Sequence, residues 1–326
     1  MIPEISIAFM GVSAAISIGL PVVLFFVWRK KYNLKFVPLL IGTVAFIIFA
    51  MILEQLLHAI VLQPNPDGSI ALARNNPVLF VLYAIFAAGV FEETARFISF
   101  HLLKRKYKGL GTGLAYGIGH GGVEAVLIAG LAMISGIIMS VTINSGNTGL
   151  LGDDPVVIAQ INTLAGANPV MFLASGFERI LAVTIHISLS MLVWCSVKVK
   201  GKLWLYPAAI VLHALVNVAP ALYQAGYIDN IWLIEGLILL PTTLIAYAAY
   251  KVCKLLPDDT NEDIPAAQEG NANIPAAQEN NTEAATIPVE QEKDTAIPAA
   301  QEDKNNIYAM QEENNSIYAA QEENKD

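Results

Sequence analysis

The sequence predicts an all-α membrane protein, a polytopic bundle of about seven transmembrane helices followed by a polar tail. Three observations carry that expectation. Hydrophobic residues make up 55% of the 326-residue chain and charged residues only 14%, with a mean hydropathy of +0.53. A soluble domain of this length would need far more charge to cover its surface. Seven separate stretches are apolar over the roughly 20 residues that a helix needs to cross about 30 Å of hydrocarbon. The loops between those stretches alternate in charge.

The stretches run over about 5–28, 36–62, 77–103, 110–141, 170–197, 203–223 and 228–252. The fourth is long and rich in glycine, so it is expected to tilt, kink or continue beyond the bilayer. At the first, Glu4 precedes the apolar core, and Arg29, Lys30 and Lys31 follow it. A secretory signal has the reverse order, so this reads as an uncleaved span with its N-terminus outside. Lys35 belongs to the same basic loop. Lys104, Arg105, Lys106 and Lys108 lie between the third and fourth stretches, and Lys198, Lys200 and Lys202 between the fifth and sixth. Lys251 and Lys254 close the seventh, whereas the opposite loops hold Arg74 beside Asp67, Asp153, Asp154 and Asp229. Basic loops face the cytoplasm, which puts the C-terminal tail inside.

Residues 1–256 therefore form the membrane domain, and 257–326 a different material. There a unit of about ten residues recurs, beginning IPAAQE, IPVEQE or IYAMQE. Few apolar and many Glu, Gln and Asn residues leave too little to bury, so a disordered cytoplasmic tail is expected. The net charge of −9 comes from the excess acid of this tail and says nothing of partners. No basic stripe with interleaved aromatics is present, so nucleic acid is excluded as a partner. Cys195 and Cys253 sit near cytoplasmic helix ends and read as small buried hydrophobes, not as a disulfide.

Charged side chains inside a span are costly, rare and usually functional. The third stretch carries Glu92, Glu93 and Arg96 in FEETARF, the fourth His120 and Glu124 in GHGGVEA. The fifth carries Glu178, Arg179 and His186, and the sixth His213 and Asn217 in HALVN. Distance along the helix from the nearest cytoplasmic lysine sets the depth of each. Glu92 lies 12 residues from Lys104, His120 12 from Lys108, His186 12 from Lys198 and His213 11 from Lys202. At the α-helical rise each sits roughly 16–18 Å in. Four helices thus place an ionisable group in one layer, expected to be reached from the cytoplasmic side. Singly, each is as well explained as a structural hydrogen-bonder. Independent accidents would scatter in depth. Glu54 and His58 in the second stretch fall near the outer face and read as a local pair outside the layer.

Glu92 and Arg96, His120 and Glu124, and His213 and Asn217 are each four apart and share a helix face. Glu92 and Glu93 point about 100° apart, so one is expected to do chemistry and the other to brace a neighbouring helix. Two constellations suit the set. In one, Glu92 is a general base helped by His120, and His213 and Asn217 donate hydrogen bonds to a tetrahedral oxyanion. In the other, His120, His213 and a glutamate hold a divalent metal such as zinc and leave a position open for water, with Glu124 and His186 as further candidate ligands.

The order EExxR, then a histidine in the next span and HxxxN in a later one resembles the CAAX prenyl protease type II and bacteriocin-immunity superfamily. FEETARF with GHGGVEA and the ERI…H of the fifth stretch is more similar to its bacterial YhfC branch. The resemblance covers about residues 5–255. It implies peptide-bond hydrolysis within the membrane, with Glu92 and His120 activating water and His213 and Asn217 stabilising the oxyanion. Glu93 and Arg96 would support them. It also implies a bacterial inner membrane and a membrane-protein or lipid-anchored peptide as substrate. The prenyl proteases have EExxxR, one residue longer, which rotates the arginine about 100° and leaves its role open. Two other readings of the layer remain, a proton or ion relay in a transporter and a non-catalytic scaffold or immunity protein.

The orientation generates a direct expectation. A cysteine placed at Lys106 reacts with a membrane-impermeant maleimide only after the cytoplasmic face is opened, and one placed at Asp229 reacts in intact cells. The reverse pattern would overturn the assignment.

Overall fold

The structure, a computed structural model, describes residues 1–64, 69–152 and 154–256. The repeat-bearing tail lies outside them, as do Asp67 and Asp153. Most of the described residues are helical, and seven helices are long and apolar enough to cross a membrane: Glu4–Lys31, Phe36–Val61, Pro77–Leu103, Leu110–Asn144, Pro169–Lys198, Leu205–Gln224 and Ile231–Cys253. They match the seven apolar stretches in order and within a few residues at most ends. The third, fifth and seventh spans begin at Asn76, Asn168 and Asn230, whose side chains accept from the first free backbone N–H groups. Pro77 and Pro169 follow at the position where a missing N–H costs nothing.

Apolar periodicity did not signal two short helices, Ala71–Asn75 and Pro155–Gly166, or two π-helical turns. The π turns lie inside the second and fourth spans, at Phe49–Glu54 and Ala125–Gly130. A π turn adds a residue to one turn of helix and re-aims the side chains that follow.

The fifth span is the axis of the bundle. It packs against the first, third, fourth, sixth and seventh spans, and its residues from Ile185 to Ser196 are continuously buried. Cys195 is among them, a free thiol among apolar neighbours as expected, while Cys253 is half-buried. Glycines let the fourth span press onto its neighbours. A Cβ on Gly119 would come 2.0 Å from the Leu39 carbonyl oxygen, and one on Gly117 2.6 Å from Ile187 Cα. Those gaps admit hydrogen only, and small residues at such crossings are how helices associate where no hydrophobic effect drives them.

The two ends of the bundle differ. At the basic end the indole N–H of Trp194 donates to the Gly109 carbonyl at 2.9 Å, and Lys198 Nζ reaches the Tyr107 carbonyl at 3.5 Å. Phe100 packs at a tilt against Tyr116 and Trp194 with ring centroids 4.6 and 5.1 Å apart, and all three rings are fully buried. That end is closed by aromatic packing. At the other end Asn144 exchanges two hydrogen bonds with the Ile2 backbone, and Ser13 donates to the Phe172 carbonyl.

Gly119→Val forces the second and fourth spans apart. It is expected to destabilise the protein by about 1–3 kcal/mol, the range for overpacking, seen as a lower thermal midpoint in detergent. Gly11→Ala, where nothing lies within 4 Å, leaves the midpoint unchanged.

Candidate active site and metal centre

Helix periodicity brings the polar layer into one buried cluster. Glu93, Arg96 and His120 are fully buried, and Glu92, His186 and His213 nearly so. The third span supplies the hub. Arg96 donates through Nη1 to Glu93 Oε1 and through Nη2 to Glu92 Oε2 at 3.3 Å. Being three residues from one glutamate and four from the other, a single guanidinium serves both.

Each glutamate then reaches a different helix. Glu92 Oε2 lies 2.8 Å from His120 Nε2 of the fourth span and 3.5 Å from His186 Nδ1 of the fifth. Glu93 Oε1 lies 2.8 Å from His213 Nδ1 of the sixth. The two adjacent glutamates thus reach different helices, as the 100° between them predicts. A carboxylate only accepts, so His213 Nδ1 carries its proton toward Glu93. A guanidinium only donates, so His186 Nδ1, which Arg96 Nη2 also contacts, is an acceptor and His186 Nε2 holds the proton. That Nε2 rests against Glu124 Oε2. Arg179 closes the chain, donating to Glu124 Oε1 at 3.1 Å and to Glu178 Oε1.

Two cavities meet at this cluster. The larger, about 710 Å³, is lined by Glu92 and Glu124 at one side and by Glu54, His58 and Tyr83 at another, and extends to Leu62, Ile70 and Gln224. The smaller, about 220 Å³, is bounded by Glu178, Arg179, His186 and His213. Glu92, Glu124 and Asn217 line both. The larger cavity leads toward the helix ends opposite the basic loops, whereas the sequence suggested access from the basic side. The difference comes from the packed rings of Phe100, Tyr116 and Trp194, which fill the basic side.

The candidate ligands regroup in three dimensions. One donor atom each from Glu92, His120 and His186 lies within 4.8 Å of the others. His213 is turned away to Glu93, and Glu124 stands behind His186, so Glu92 takes the place expected for these two. Two imidazoles and a carboxylate are a catalytic zinc set. Donors about 2.0–2.1 Å from a tetrahedral ion are about 3.3 Å apart, and the 2.8 and 3.5 Å separations bracket that edge. His120 Nδ1 is buried without a hydrogen-bond partner among the described residues. Arg96 Nη2 touches two of the three donors, so an ion there requires it to draw back toward Glu93.

Two carboxylates escaped the depth argument. Glu54 is a local pair with His58 at 3.5 Å, as expected, yet it is buried and lines the same cavity as Glu92. Glu235 of the seventh span is buried within electrostatic reach of Glu178 and Arg179. The signal for Glu235 was present, a lone acid in WLIEGL at the interior of a span.

The family model described as YhfC intramembrane metalloprotease matches residues 16–238. The uncharacterized membrane protein YhfC of Bacillus subtilis (strain 168) is 35% identical over 251 residues, covering 76% of this chain and 96% of the relative. No solved structure matches the chain.

Glu93→Ala leaves Arg96 and His213 without their shared carboxylate. Breaking a buried pair in this way is expected to destabilise by about 3–5 kcal/mol, read as loss of the monodisperse peak on size exclusion or a large fall in thermal midpoint. Glu178→Ala, at a side chain 38% exposed, is expected to cost under about 1 kcal/mol.

Proposed function

The chain belongs to the YhfC intramembrane metalloprotease family, and from that premise we propose that it hydrolyses peptide bonds at the Glu92–His120–His186 cluster inside the membrane. One observation supports this above the others. Glu92 places one carboxylate oxygen beside imidazoles from two other spans, at the wall of a cavity large enough for a peptide segment.

Glu92, His120 and His186 would hold the divalent metal, and when bound it supplies Lewis acidity toward a carbonyl and a water made acidic near neutral pH. The chain's own groups do the remainder. Glu124, itself held by Arg179, fixes the His186 ring through Nε2. A carboxylate behind a ligating imidazole sets its tautomer and orientation. Glu93 holds His213 through Nδ1, which leaves Nε2 for the substrate. With both nitrogens protonated, His213 donates to the developing oxyanion together with the amide of Asn217, which lines both cavities. With Nε2 free it takes a proton from water and passes it to the leaving amine. Arg96 keeps the two glutamates apart in role by neutralising charge between them.

A glutamate-type mechanism uses the same geometry without the ion. Glu92 then accepts the proton of the attacking water while His120 orients it. The substrate is proposed to be a membrane protein or lipid-anchored peptide in a bacterial plasma membrane.

The test is hydrolysis in proteoliposomes against membrane-anchored peptides. Glu92→Ala is expected to abolish cleavage, and Asn217→Ala to lower kcat about 10²-fold, the effect of losing one oxyanion donor. A chelator is expected to stop turnover. Purified protein is expected to carry one divalent ion per chain by atomic emission, lost in His120→Ala and His186→Ala and kept in His101→Ala. Cleavage that persists in chelator with no bound metal would establish the glutamate form, and cleavage that survives Glu92→Ala would sink both.

A further inference from the structure

The larger cavity holds a second polar station that the hydrolytic cluster does not use. Glu54 is 5% exposed, and its side chain lines the same cavity as Glu92 and Glu124, within electrostatic reach of both. Its near partner is His58 Nε2 at 3.5 Å, an ion-pair distance too long for a good hydrogen bond. The other nitrogen of that ring, Nδ1, is 2.6 Å from the Tyr83 hydroxyl, so the imidazole is pinned in place and the carboxylate keeps hydrogen-bonding capacity toward the cavity. An under-paired carboxylate at membrane depth is expensive. Among the described residues no lysine or arginine lines this cavity.

The cavity is also built irregularly. The π turn Phe49–Glu54 brings Ala50, Met51 and Glu54 to one wall, and the π turn Ala125–Gly130 brings Leu127 and Ile128 to another. Two π turns in two different spans flank one chamber, and such turns concentrate at functional sites. The walls are largely apolar and include Met10, Met51, Met133 and Met139, side chains that adapt to varied shapes. Gln55, Gln160, Thr163 and Gln224 add uncharged hydrogen-bonding groups suited to a peptide backbone.

We propose that Glu54, braced by His58 and Tyr83, is a recognition anchor for a positively charged ammonium group carried by an otherwise apolar polypeptide segment lying in this cavity. This deepens the peptidase reading, on which the occupant's identity as substrate rests. A phospholipid headgroup is disfavoured, because its phosphate would meet three carboxylates in a cavity that, among the described residues, no lysine or arginine lines. The ammonium is a lysine side chain or a free N-terminus within the segment.

The test uses the full chain in lipid nanodiscs and fluorescent apolar decapeptides, with binding to empty nanodiscs subtracted. One peptide is N-acetylated with a central lysine, one N-acetylated with norleucine there, and one has norleucine and a free N-terminus. The wild-type protein is expected to bind an ammonium peptide about tenfold tighter than the neutral one, the effect of one charge-assisted hydrogen bond. Which of the two ammonium peptides gains identifies the source. Glu54→Gln, of the same shape, is expected to erase the difference and keep the affinity for the neutral peptide. Equal affinities in the wild-type protein would overturn the anchor without recourse to any variant. So would a preference that survives Glu54→Gln. Because binding is read without turnover, a charge preference with no hydrolysis in any assay would sink the peptidase reading alone. Hydrolysis with no charge preference would sink the anchor alone.

Discussion

Two adjacent carboxylates in the middle of a membrane helix need partners, and helix geometry sends Glu92 and Glu93 toward different neighbours. Glu93 finds Arg96 and His213; Glu92 finds Arg96, His120 and His186. In hydrocarbon the alternative to pairing is an isolated charge, so these contacts tie four spans together at one depth. The rotation of the third span decides which glutamate braces the sixth span and which meets the fourth and fifth. Everything chemical in the site follows from that division.

The scaffold around the cluster is arranged to permit it. Glycines bring the fourth span against the second and fifth, which puts His120 beside His186 with ring centroids 5.0 Å apart. Aromatic rings close the basic end, so open volume accumulates on the other side. Water admitted through that volume would meet Glu92, Glu124 and Asn217 together. The same cavity carries Glu54, buried and within electrostatic reach of Glu92 and Glu124, so one chamber holds three carboxylates.

Legibility in the sequence was uneven, and the reasons are physical. The seven spans were readable because hydrocarbon thickness sets a helix length that composition exposes directly. The cluster was readable because burying an ionisable group in a span is so unfavourable that its presence is itself a signal. Counting residues from the basic loops located Glu92, His120, His186 and His213 at one level, and the structure brings them together. The same count excluded Glu54, because depth along one axis carries no information about a cavity that runs along it. The π turns left no trace in hydrophobic periodicity, being one extra residue in a uniformly apolar run.

Composition, span length and the placement of charge determined by themselves that this is a seven-span helical membrane protein with a buried layer of acids and imidazoles, because each of those features is local to one helix or one loop. Only the tertiary structure decided that Glu92 and not His213 lies beside both His120 and His186, that Glu124 and Arg179 stand behind His186, and that the cavity opens away from the basic loops. Those outcomes depend on how each helix is rotated against its neighbours, set by glycine contacts such as Gly119 on Leu39 and by aromatic packing around Trp194, and no single segment of sequence encodes a relation between four helices.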